Sequence, residues 1–272
     1  MDLIFFDLDG TLLNSDSEIS PFTKETLVLL RQRNIAYTVA TGRTMLSAKS
    51  ILEGHEFDLP QAYNNGVTIW DPRTQKLTLE HLLSSADISA IAELASVQGI
   101  TPFVHAIDDQ NYFIYHATPR HQVEKELINT RYCHVKAKVF PMEELPAKAQ
   151  VTNVSMIGAT EAIKPIWNEL KKNTNLVAYS GPAIEGDQYR WMDILHCAAS
   201  KGSAVTSIKK QLGATNVVCF GDSDNDLSMF ELADESYAPE SGKVNLKEAA
   251  SAVIRPNYED GVAHFLRERF SL

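Results

Sequence analysis

The sequence predicts an α/β protein, in which a doubly wound parallel sheet forms the core and a smaller α+β domain is inserted. Residues 3–6, 35–40 and 217–220 are short apolar runs that end abruptly in polar residues, which is typical of strands buried on both faces of a parallel sheet. Residues 102–116 instead form two strand-like segments around a turn-rich break, the pattern of an antiparallel hairpin. These two patterns indicate two kinds of domain.

The first elements are predicted to form a strand–helix–strand unit. After the strand at 3–6, Ser20 and Pro21 suit the N-cap and the first position of a helix, and the apolar residues that follow recur at helical spacing. The strand at 35–40 then completes the unit. Crossovers of this kind build doubly wound sheets with helices on both faces.

The middle of the chain is predicted to be the inserted α+β domain. It combines the hairpin with helical patterns at about 120–132 and 161–172 and with strand-like segments at 154–157 and 177–180. Because hairpins mixed with helices do not continue a parallel sheet, we expect this segment to form a module of its own.

The parallel pattern is predicted to resume near the end of the chain. A strand at 190–195 and a helix at 201–212 precede the last of the three apolar runs. We therefore expect a core domain of residues 1–81 and 189–272 and an inserted domain of residues 82–188.

The composition is that of an acidic globular protein. Of 272 residues, 25 are Lys or Arg and 35 are Asp or Glu, so the formal net charge is −10. This balance argues against nucleic-acid partners and anionic membrane surfaces, because both require basic footprints. No apolar run approaches the roughly 20 residues of a bilayer span, and no basic segment precedes residues 3–6 as in a signal peptide. Three cysteines without a CxxC pair suit a reducing compartment, so we expect a cytoplasmic protein.

The first group of chemically competent residues follows the strand at 3–6. The string from Asp7 to Thr11 lies at the carboxyl end of a buried strand, where ligands bind in open α/β sheets. Asp7 and Asp9 repel each other unless a cation or a shared proton compensates, and a carboxylate is a competent nucleophile toward phosphorus. Gly10 permits a positive φ angle or a close backbone approach. The alternative is an Asx turn that closes the strand.

Two weaker signals come later in the chain. Thr41, Gly42 and Arg43 follow the strand at 35–40, and their hydroxyl, amide and guanidinium groups can hold phosphate oxygens. Lys201 lies in the first turn of a predicted helix, although the helix dipole favours anions there. Each signal alone is compatible with a surface loop or a solvated lysine, and a neighbouring phosphate or aspartate would give Lys201 a role.

The fourth group is the acidic loop after the third apolar run. Asp222, Asp224 and Asp226 alternate as in a metal-binding loop, but an EF-hand needs Gly at the sixth position and Glu at the twelfth. Leu227 and Ala233 stand there, so the EF-hand interpretation fails. A Mg²⁺ site with one or two carboxylates remains open. A favourable interaction with a helix dipole accounts for Asp224 and leaves the role of Asp226 open.

The histidines of the inserted domain have a plainer interpretation. His105, His116, His121 and His134 have spacings that match no zinc motif. We therefore expect them to be packing or surface residues.

Together the four groups resemble the haloacid dehalogenase-like phosphohydrolases. Their order is Asp-x-Asp, Thr, Lys and the acidic loop, with a long insertion between Thr41 and Lys201. The insertion resembles the type-IIB cap of the Cof-like sugar phosphatases, and residues 193–202 and 257–262 resemble the cap exit and the C-terminal motif of that group. The resemblance implies a phosphohydrolase core with a substrate-specificity cap, and a loop near the site at 64–66.

The resemblance also implies a role for each motif residue. Asp7 would attack the phosphorus and become an aspartyl phosphate, and Asp9 would protonate the leaving oxygen and then activate the hydrolytic water. The implied cofactor is Mg²⁺, held by Asp7, the Asp9 carbonyl and Asp222. The groups that would hold the transferred phosphoryl are Thr41, the amides of Leu8 and Gly42, Lys201 and Asn225.

These observations favour a Mg²⁺-dependent phosphomonoester hydrolase that acts on a small phosphorylated metabolite, such as a sugar phosphate. A phosphomutase or phosphotransferase on the same scaffold differs only in whether water or a sugar hydroxyl accepts the phosphoryl group. A receiver-like phospho-acceptor switch also uses acidic residues, a hydroxyl and a lysine on a doubly wound sheet. Against a switch stand the long insertion and Asp9, because a switch does not need a second acid.

Overall fold

A computed structural model of the chain describes residues 2–133 and 137–272. The expectation for His134 concerns a residue outside these ranges. The described residues form fourteen β-strands, which are β1 (Asp2–Phe6), β2 (Ala36–Val39), β3 (Gln61–Tyr63), β4 (Thr68–Asp71), β5 (Lys76–Leu79), β6 (Phe103–Asp108), β7 (Asn111–His116), β8 (Lys138–Pro141), β9 (Gln150–Ala159), β10 (Leu176–Ala183), β11 (Gly186–His196), β12 (Asn216–Phe220), β13 (Glu235–Pro239) and β14 (Ala252–Ile254).

The same residues form nine α-helices, which are α1 (Pro21–Gln32), α2 (Met45–Leu52), α3 (Ser85–Val97), α4 (Gln122–Leu127), α5 (Thr160–Leu170), α6 (Lys201–Leu212), α7 (Leu227–Phe230), α8 (Val244–Ala249) and α9 (Gly261–Phe270). The predicted N-cap of α1 is confirmed, since the Ser20 hydroxyl accepts a hydrogen bond from the Thr23 amide at 3.0 Å. That bond satisfies one of the amides that a helix leaves without a partner at its N-terminus.

The chain divides into two compact units, Met1–Thr78 with Ala199–Leu272 and Leu79–Ala198. The second unit therefore extends beyond the predicted bounds of 82–188 at both ends. The roles expected for the two domains stay predictions.

The first unit contains a five-stranded parallel sheet in the order β14-β13-β12-β1-β2. The chain leaves β1 toward β2 on one side and returns to β12 on the other, so the strand order reverses beside β1. In such doubly wound sheets the crevice at this switch point, outside the carboxyl ends of the strands, is where ligands bind. The predicted doubly wound core is confirmed.

Strand β1 has an apolar layer on each face, as its continuous apolar sequence predicts. Ile4 and Phe6 belong to one buried cluster with side chains of α1 and α9, while Leu3 and Phe5 belong to another with side chains of α6. Because successive residues of a strand point to opposite faces, all four are withdrawn from water. A strand held this tightly provides a rigid base for the residues that follow it.

The second unit contains a six-stranded sheet in the order β10-β11-β9-β6-β7-β8. Strands β6 and β7 form the predicted antiparallel hairpin, with Asp108 opposite Asn111 at its turn. Only the pairing of β7 with β8 is parallel among the described strands of this sheet. Side chains of α3 and α5 cover one face in an apolar cluster, so the predicted α+β character is confirmed.

The prediction that the parallel pattern resumes at 190–195 is wrong. These residues belong to β11, which lies antiparallel between β9 and β10 in the second unit. Met192 and Ile194 are buried in the apolar cluster of that unit, and Asp193 between them lies on the other face. This alternation is the sign of a half-buried antiparallel strand.

A third, smaller sheet has the order β3-β4-β5. An isolated parallel bridge joins Ala40, directly after β2, to Ala62 in β3. Over the residues that the structure describes, we find no helix with the length and apolar character needed to cross a membrane.

Candidate active site

Asp7 lies at the carboxyl end of β1, at the switch point of the parallel sheet. Its side chain is buried, and its backbone amide donates to the Phe220 carbonyl, at the end of β12, at 2.9 Å. The chain then makes a tight turn over Leu8–Leu12, closed by a hydrogen bond from the Leu13 amide to the Leu8 carbonyl at 3.0 Å. The Leu8 side chain is fully buried in the core, so the turn is anchored beneath the carboxylate.

Gly10 allows this turn to approach the acidic loop. Its φ angle is +73°, and a Cβ placed on it would lie 2.5 Å from a carboxylate oxygen of Asp222. Any other residue would be strained at this φ and would displace that carboxylate. The predicted need for glycine is confirmed for the positive φ and for the close backbone approach. The turn after β1 and the acidic loop that holds Asp222 meet at this point.

Lys201 is a fully buried cation that joins two carboxylates. It is the first residue of α6, after the N-cap Ser200, and its Nζ lies 2.6 Å from Asp7 Oδ1 and 2.6 Å from Asp226 Oδ1. Burial alone lowers the pKa of a lysine, but the charges of Asp226 and Asp7 outweigh it and raise the pKa of Lys201 above its usual value. The lysine is therefore charged. The sequence left the role of Lys201 open unless an aspartate or a phosphate lay beside it, and the structure places two aspartates there.

Asp226 positions other groups of the site, a role that sequence reasoning did not assign. Its Oδ2 accepts hydrogen bonds from the amides of Asp222 and Ser223, each at 3.0 Å, while Oδ1 bonds Lys201. The Asp226 amide donates in return to the Ser223 carbonyl at 2.9 Å, and the two residues occupy the N-cap and N3 positions of a capping box. The spacing of Ser223 and Asp226 is the sequence signal of such a box, and it could have revealed the role.

Three carboxylates converge in the site. Single oxygens of Asp7, Asp222 and Asp226 all lie within 4.8 Å of one another. Burial, followed by the charge of Asp226, raises the pKa of Asp222 to about 6. Burial also raises the pKa of Asp7, reinforced by Asp226 and Asp222 and opposed by Lys201. Carboxylates in this arrangement favour a bound cation, because it would relieve both the repulsion and the loss of water.

Arg43 is bound to Asp9, and the phosphate-binding role predicted for it stays a prediction. Its Nε and Nη2 donate to the two carboxylate oxygens of Asp9 at 2.7 and 2.6 Å. The Asp9 side chain is 54% exposed and that of Arg43 25% exposed. The hydrogen bonds to Asp9 raise the pKa of Arg43. The bidentate pair holds the Asp9 carboxylate in one orientation at the edge of the site.

The motif at 41–43 lies next to the acidic loop, and Asn65 contacts both. The Asn225 side-chain amide donates to Asn65 Oδ1 at 2.8 Å, and a Cβ on Gly42 would lie 3.3 Å from the same oxygen. Buried Thr41 accepts a hydrogen bond from the Arg43 amide at 3.1 Å. Thr41, Gly42 and Asn225, which the sequence singles out, are therefore close together, and Asn65 links them.

The turn at 64–66 also supports α6. Asn65 has φ +51° and Gly66 has φ +95°, and a Cβ on Gly66 would lie 2.1 Å from the Ser200 carbonyl oxygen. The helix that carries Lys201 can approach only because this position has no side chain. The resemblance implies that this loop lies near the site, and the structure places it against the N-terminus of α6, which carries Lys201.

Comparison with known families identifies the chain. The model described as haloacid dehalogenase-like hydrolase matches residues 4–266. The chain belongs to this family. The resemblance predicted from the four motifs is thereby confirmed.

Several proteins of similar sequence are named phosphatases. The 5-amino-6-(5-phospho-D-ribitylamino)uracil phosphatase YitU of Bacillus subtilis (strain 168) is 27% identical over 279 residues, which cover 99% of this chain and 98% of that protein. The pyridoxal phosphate phosphatase YbhA of Escherichia coli (strain K12) is 25% identical over 276 residues, 97% of each chain. The solved structure of BT4131, a HAD subclass IIB sugar phosphatase, matches with a TM-score of 0.79 at 20% identity and covers 100% of this chain and 99% of that one.

As a haloacid dehalogenase-like hydrolase, the chain is an enzyme of the phosphatase type. This assignment excludes the receiver-like switch, which would not turn over a substrate. The solved structure has the same fold, a parallel core sheet with a separate sheet-rich unit.

Proposed function

We propose that the chain is a Mg²⁺-dependent phosphomonoester hydrolase that acts on a small phosphorylated metabolite through an aspartyl phosphate on Asp7. The observation that carries the proposal is the placement of the Asp7 carboxylate. It is buried at the switch point, bonded to a charged lysine and grouped with further carboxylates. A carboxylate held in this way can attack phosphorus once a substrate phosphate lies beside it.

The residues present fit a bound Mg²⁺ ion. Asp7, Asp222 and Asp226 carry three negative charges when ionised and Lys201 carries one positive charge, so a divalent cation would balance the set. Both oxygens of Asp226 already accept hydrogen bonds, which leaves the carboxylates of Asp7 and Asp222, with the Asp9 carbonyl, as the proposed ligands. Oxygen donors of this kind are those that Mg²⁺ prefers. When bound, the ion would neutralise charge on the phosphoryl oxygens.

In the first half-reaction, a carboxylate oxygen of Asp7 forms a bond to phosphorus. The bond between phosphorus and the leaving alcohol oxygen breaks, and Asp9 donates a proton to that oxygen. Asp9 is suited to this task because its half-exposed carboxylate lies two residues from the nucleophile on the same turn. To act as an acid, Asp9 must exchange one of its two bonds with Arg43 for a proton, while the other bond can still hold the carboxyl group in place.

In the second half-reaction, water attacks the phosphorus of the aspartyl phosphate. Asp9, now ionised, takes the proton of that water, and the bond from phosphorus to the Asp7 oxygen breaks. Inorganic phosphate leaves and the Asp7 carboxylate is restored. Asp9 then carries the proton of that water until it is lost to solvent. Once Asp9 is ionised again, both of its bonds to Arg43 can form.

The transferred phosphoryl group needs donors on its other oxygens. We assign this task to Lys201, the Thr41 hydroxyl, the Asn225 amide and the backbone amides of Leu8 and Gly42. The close grouping of Thr41, Gly42 and Asn225 around Asn65 supports the assignment, as does the bond of Lys201 to the nucleophile.

The substrate is proposed to be a small phosphorylated metabolite. Two relatives are named for such compounds, one with a phosphoribityl chain and one being pyridoxal phosphate. We further propose that the unit Leu79–Ala198 selects the leaving group, because the chemically competent motifs all lie in the other unit.

The test is phosphate release by the purified protein, with p-nitrophenyl phosphate and a panel of sugar phosphates in the presence of Mg²⁺. EDTA should abolish the release and added Mg²⁺ should restore it. Asp222→Asn should raise the Mg²⁺ concentration needed for half-maximal activity by at least about tenfold. Asp224→Asn is the matched control, because Asp224 lies in the same loop but is exposed and bonded to Lys243. Full activity in EDTA, or transfer to a sugar hydroxyl without release of phosphate, would contradict the proposal.

A further inference from the structure

The motif at 257–262, which the proposed reaction does not use, is anchored in the first unit. A Cβ on Gly261 would lie 1.8 Å from the Arg255 carbonyl oxygen, so the motif packs directly on the residues before it. Asp260 accepts a hydrogen bond at 2.5 Å from the hydroxyl of Ser20, the N-cap of α1. The motif is therefore fixed where α1 and α9 begin.

Asn257 connects this anchored motif to the turn that carries Asp9. Its side-chain Nδ2 donates a hydrogen bond to the Leu13 carbonyl at 2.9 Å. The amide of the same Leu13 closes the turn by donating to the Leu8 carbonyl at 3.0 Å. Leu13 is buried, and its two backbone groups are bonded on different sides, one to the turn and one to Asn257. The end of the turn is therefore held in place by the motif.

A second contact fixes the orientation of the Asn257 amide group. Because a carbonyl oxygen can only accept, Nδ2 must face Leu13, and the Ser241 hydroxyl donates to the remaining oxygen, Oδ1, at 2.9 Å. The loop that contains Ser241 is itself bound to the acidic loop, since the Lys243 amide donates to the Asp222 carbonyl at 2.8 Å. Asn257 therefore links the turn after β1 to the backbone that supports the acidic loop.

Asp9 depends on this turn for its position. Its side chain is 54% exposed, and the backbone angles of Asp9 and Gly10 are not helical, so the turn lacks the continuous hydrogen bonds of a helix. Asp7, by contrast, directly follows a buried strand. In both half-reactions the Asp9 carboxyl group must meet an oxygen of the substrate or of water, and a displacement of about 1 Å can lower the rate by about 10²-fold.

We propose that Asn257 is a positioning residue for Asp9. By holding the Leu13 end of the turn, it keeps the Asp9 carboxyl group where it meets first the leaving oxygen and then the hydrolytic water. Ser241 supports this role because it orients the Asn257 amide group. The effect passes through the backbone of Leu13 and not through contact with the reacting atoms. The inference rests on the proposed function, because it concerns the acid and base of that reaction.

The test uses Asn257→Asp, which changes the shape of the side chain little. The carboxylate can still accept from Ser241, but it has no donor for the Leu13 carbonyl. We expect kcat/KM for the preferred sugar phosphate to fall by about 10–10²-fold, and kcat/KM for p-nitrophenyl phosphate to fall less, because that leaving group needs little protonation. Rapid mixing with p-nitrophenyl phosphate should show a burst of p-nitrophenol before a slower steady rate than in the parent, because hydrolysis of the aspartyl phosphate also needs Asp9.

Two further variants frame this result. Ser241→Ala leaves the Asn257 donor in place but frees its amide group to rotate, so the ratio of the two kcat/KM values should change in the same direction by a smaller factor. Asn34→Asp makes the same replacement at an exposed position just after α1 and should keep the parent's ratio. Thermal melting should show that each variant is folded.

The outcomes separate this inference from the proposed function. If Asn257→Asp lowers kcat/KM equally for both substrates, or keeps the parent's values, the inference is wrong, while phosphate release by the parent still supports the proposed function. If Asn257→Asp does not fold, Ser241→Ala decides, and a parent-like ratio in that variant contradicts the inference. If the parent releases phosphate from neither substrate, the proposed function is wrong and the inference fails with it.

Discussion

At the scale of single residues, charge balance explains how the site is built. Lys201 is buried between Asp7 and Asp226, and such a cation is tolerated only because partners replace its water. Arg43 and Asp9 form a separate, more exposed pair. Asp7, the proposed nucleophile, therefore lies in different surroundings from Asp9, the proposed acid. Such a difference allows neighbouring carboxylates to take different roles.

The Arg43–Asp9 pair leads to a prediction about leaving groups. If Arg43 positions Asp9, Arg43→Ala should lower kcat with an alkyl phosphate by about 10–10²-fold. It should lower kcat with p-nitrophenyl phosphate less, because that leaving group needs little protonation. Steady-state kinetics with both substrates would measure the split.

Arg73→Ala is the control for that experiment, because Arg73 forms an exposed ion pair with Asp58 in the same unit. It should leave both substrates unaffected. An equal rise in KM for the two substrates in Arg43→Ala, with kcat unchanged, would instead show that Arg43 holds the phosphate and does not position Asp9.

At the scale of elements, the position of α6 decides where Lys201 lies. Its N-terminus is set by the Ser200 cap, whose hydroxyl accepts from the Ser203 amide at 3.0 Å, and by the approach of Gly66 to the Ser200 carbonyl. Gly202 is similarly close to the next helix, since a Cβ on it would lie 2.3 Å from the Ser228 carbonyl oxygen. The first turn of α6 therefore has little room to move.

Gly66→Ala should displace this turn. The new methyl group would overlap the Ser200 carbonyl and Gly66 has a positive φ, so we expect a loss of stability of about 1–3 kcal/mol. The kcat of the folded fraction should also fall, by at least about tenfold, because Lys201 would move from Asp7. Thermal or urea unfolding and phosphate release at saturating substrate measure the two effects.

Gly213→Ala is the matched control, since Gly213 ends α6 with φ +63° and a Cβ there would meet nothing within 4 Å. It should cost about 1–2 kcal/mol from backbone strain alone and leave kcat as in the parent. Parent-like kcat in Gly66→Ala would contradict the importance of this contact.

Among the helices and strands, local sequence predicts some elements and not others. The buried strands β1 and β12 and the cap of α1 were predictable, because apolar runs and capping residues act on their own neighbourhood. The strand at 190–195 was assigned to the wrong sheet. Its position depends on its antiparallel pairing with β10 and with β9, which the sequence of the strand itself does not specify. The alternation of Met192, Asp193 and Ile194 was the signal that could have corrected it.

The site shows the same division. Asp7, Gly10, Lys201 and Asp222 were predictable because motif residues at strand ends and helix starts meet at one edge of a parallel sheet. The contact of Asn225 with Asn65 joins residues 160 positions apart. No local pattern reports such a contact, so the bridging role of Asn65 required the structure.

At the scale of the whole molecule, the two compact units suggest a division of labour. All the motif residues lie in the first unit, and the proposed selection of the leaving group is assigned to Leu79–Ala198. Replacing Leu79–Ala198 by a short Gly/Ser linker should therefore lower kcat/KM for the preferred sugar phosphate much more than for p-nitrophenyl phosphate. Circular dichroism and a cooperative melt would establish that the shortened protein is folded. Equal losses on both substrates in the folded protein would contradict a separate specificity role.

The central claim is that the molecule transfers phosphoryl groups through Asp7 with Asp9 as acid and base, and trapping the intermediate tests it most directly. In Asp9→Asn, p-nitrophenyl phosphate should still react with Asp7, because its leaving group needs little protonation, whereas hydrolysis should be slower by roughly 10²–10⁴-fold. Acid quenching followed by peptide mass spectrometry should then show one added phosphoryl group on the peptide that contains Asp7. The double variant Asp7→Asn with Asp9→Asn should show none. Parent-like turnover by Asp9→Asn, or a phosphoryl group that persists in the double variant, would contradict the account.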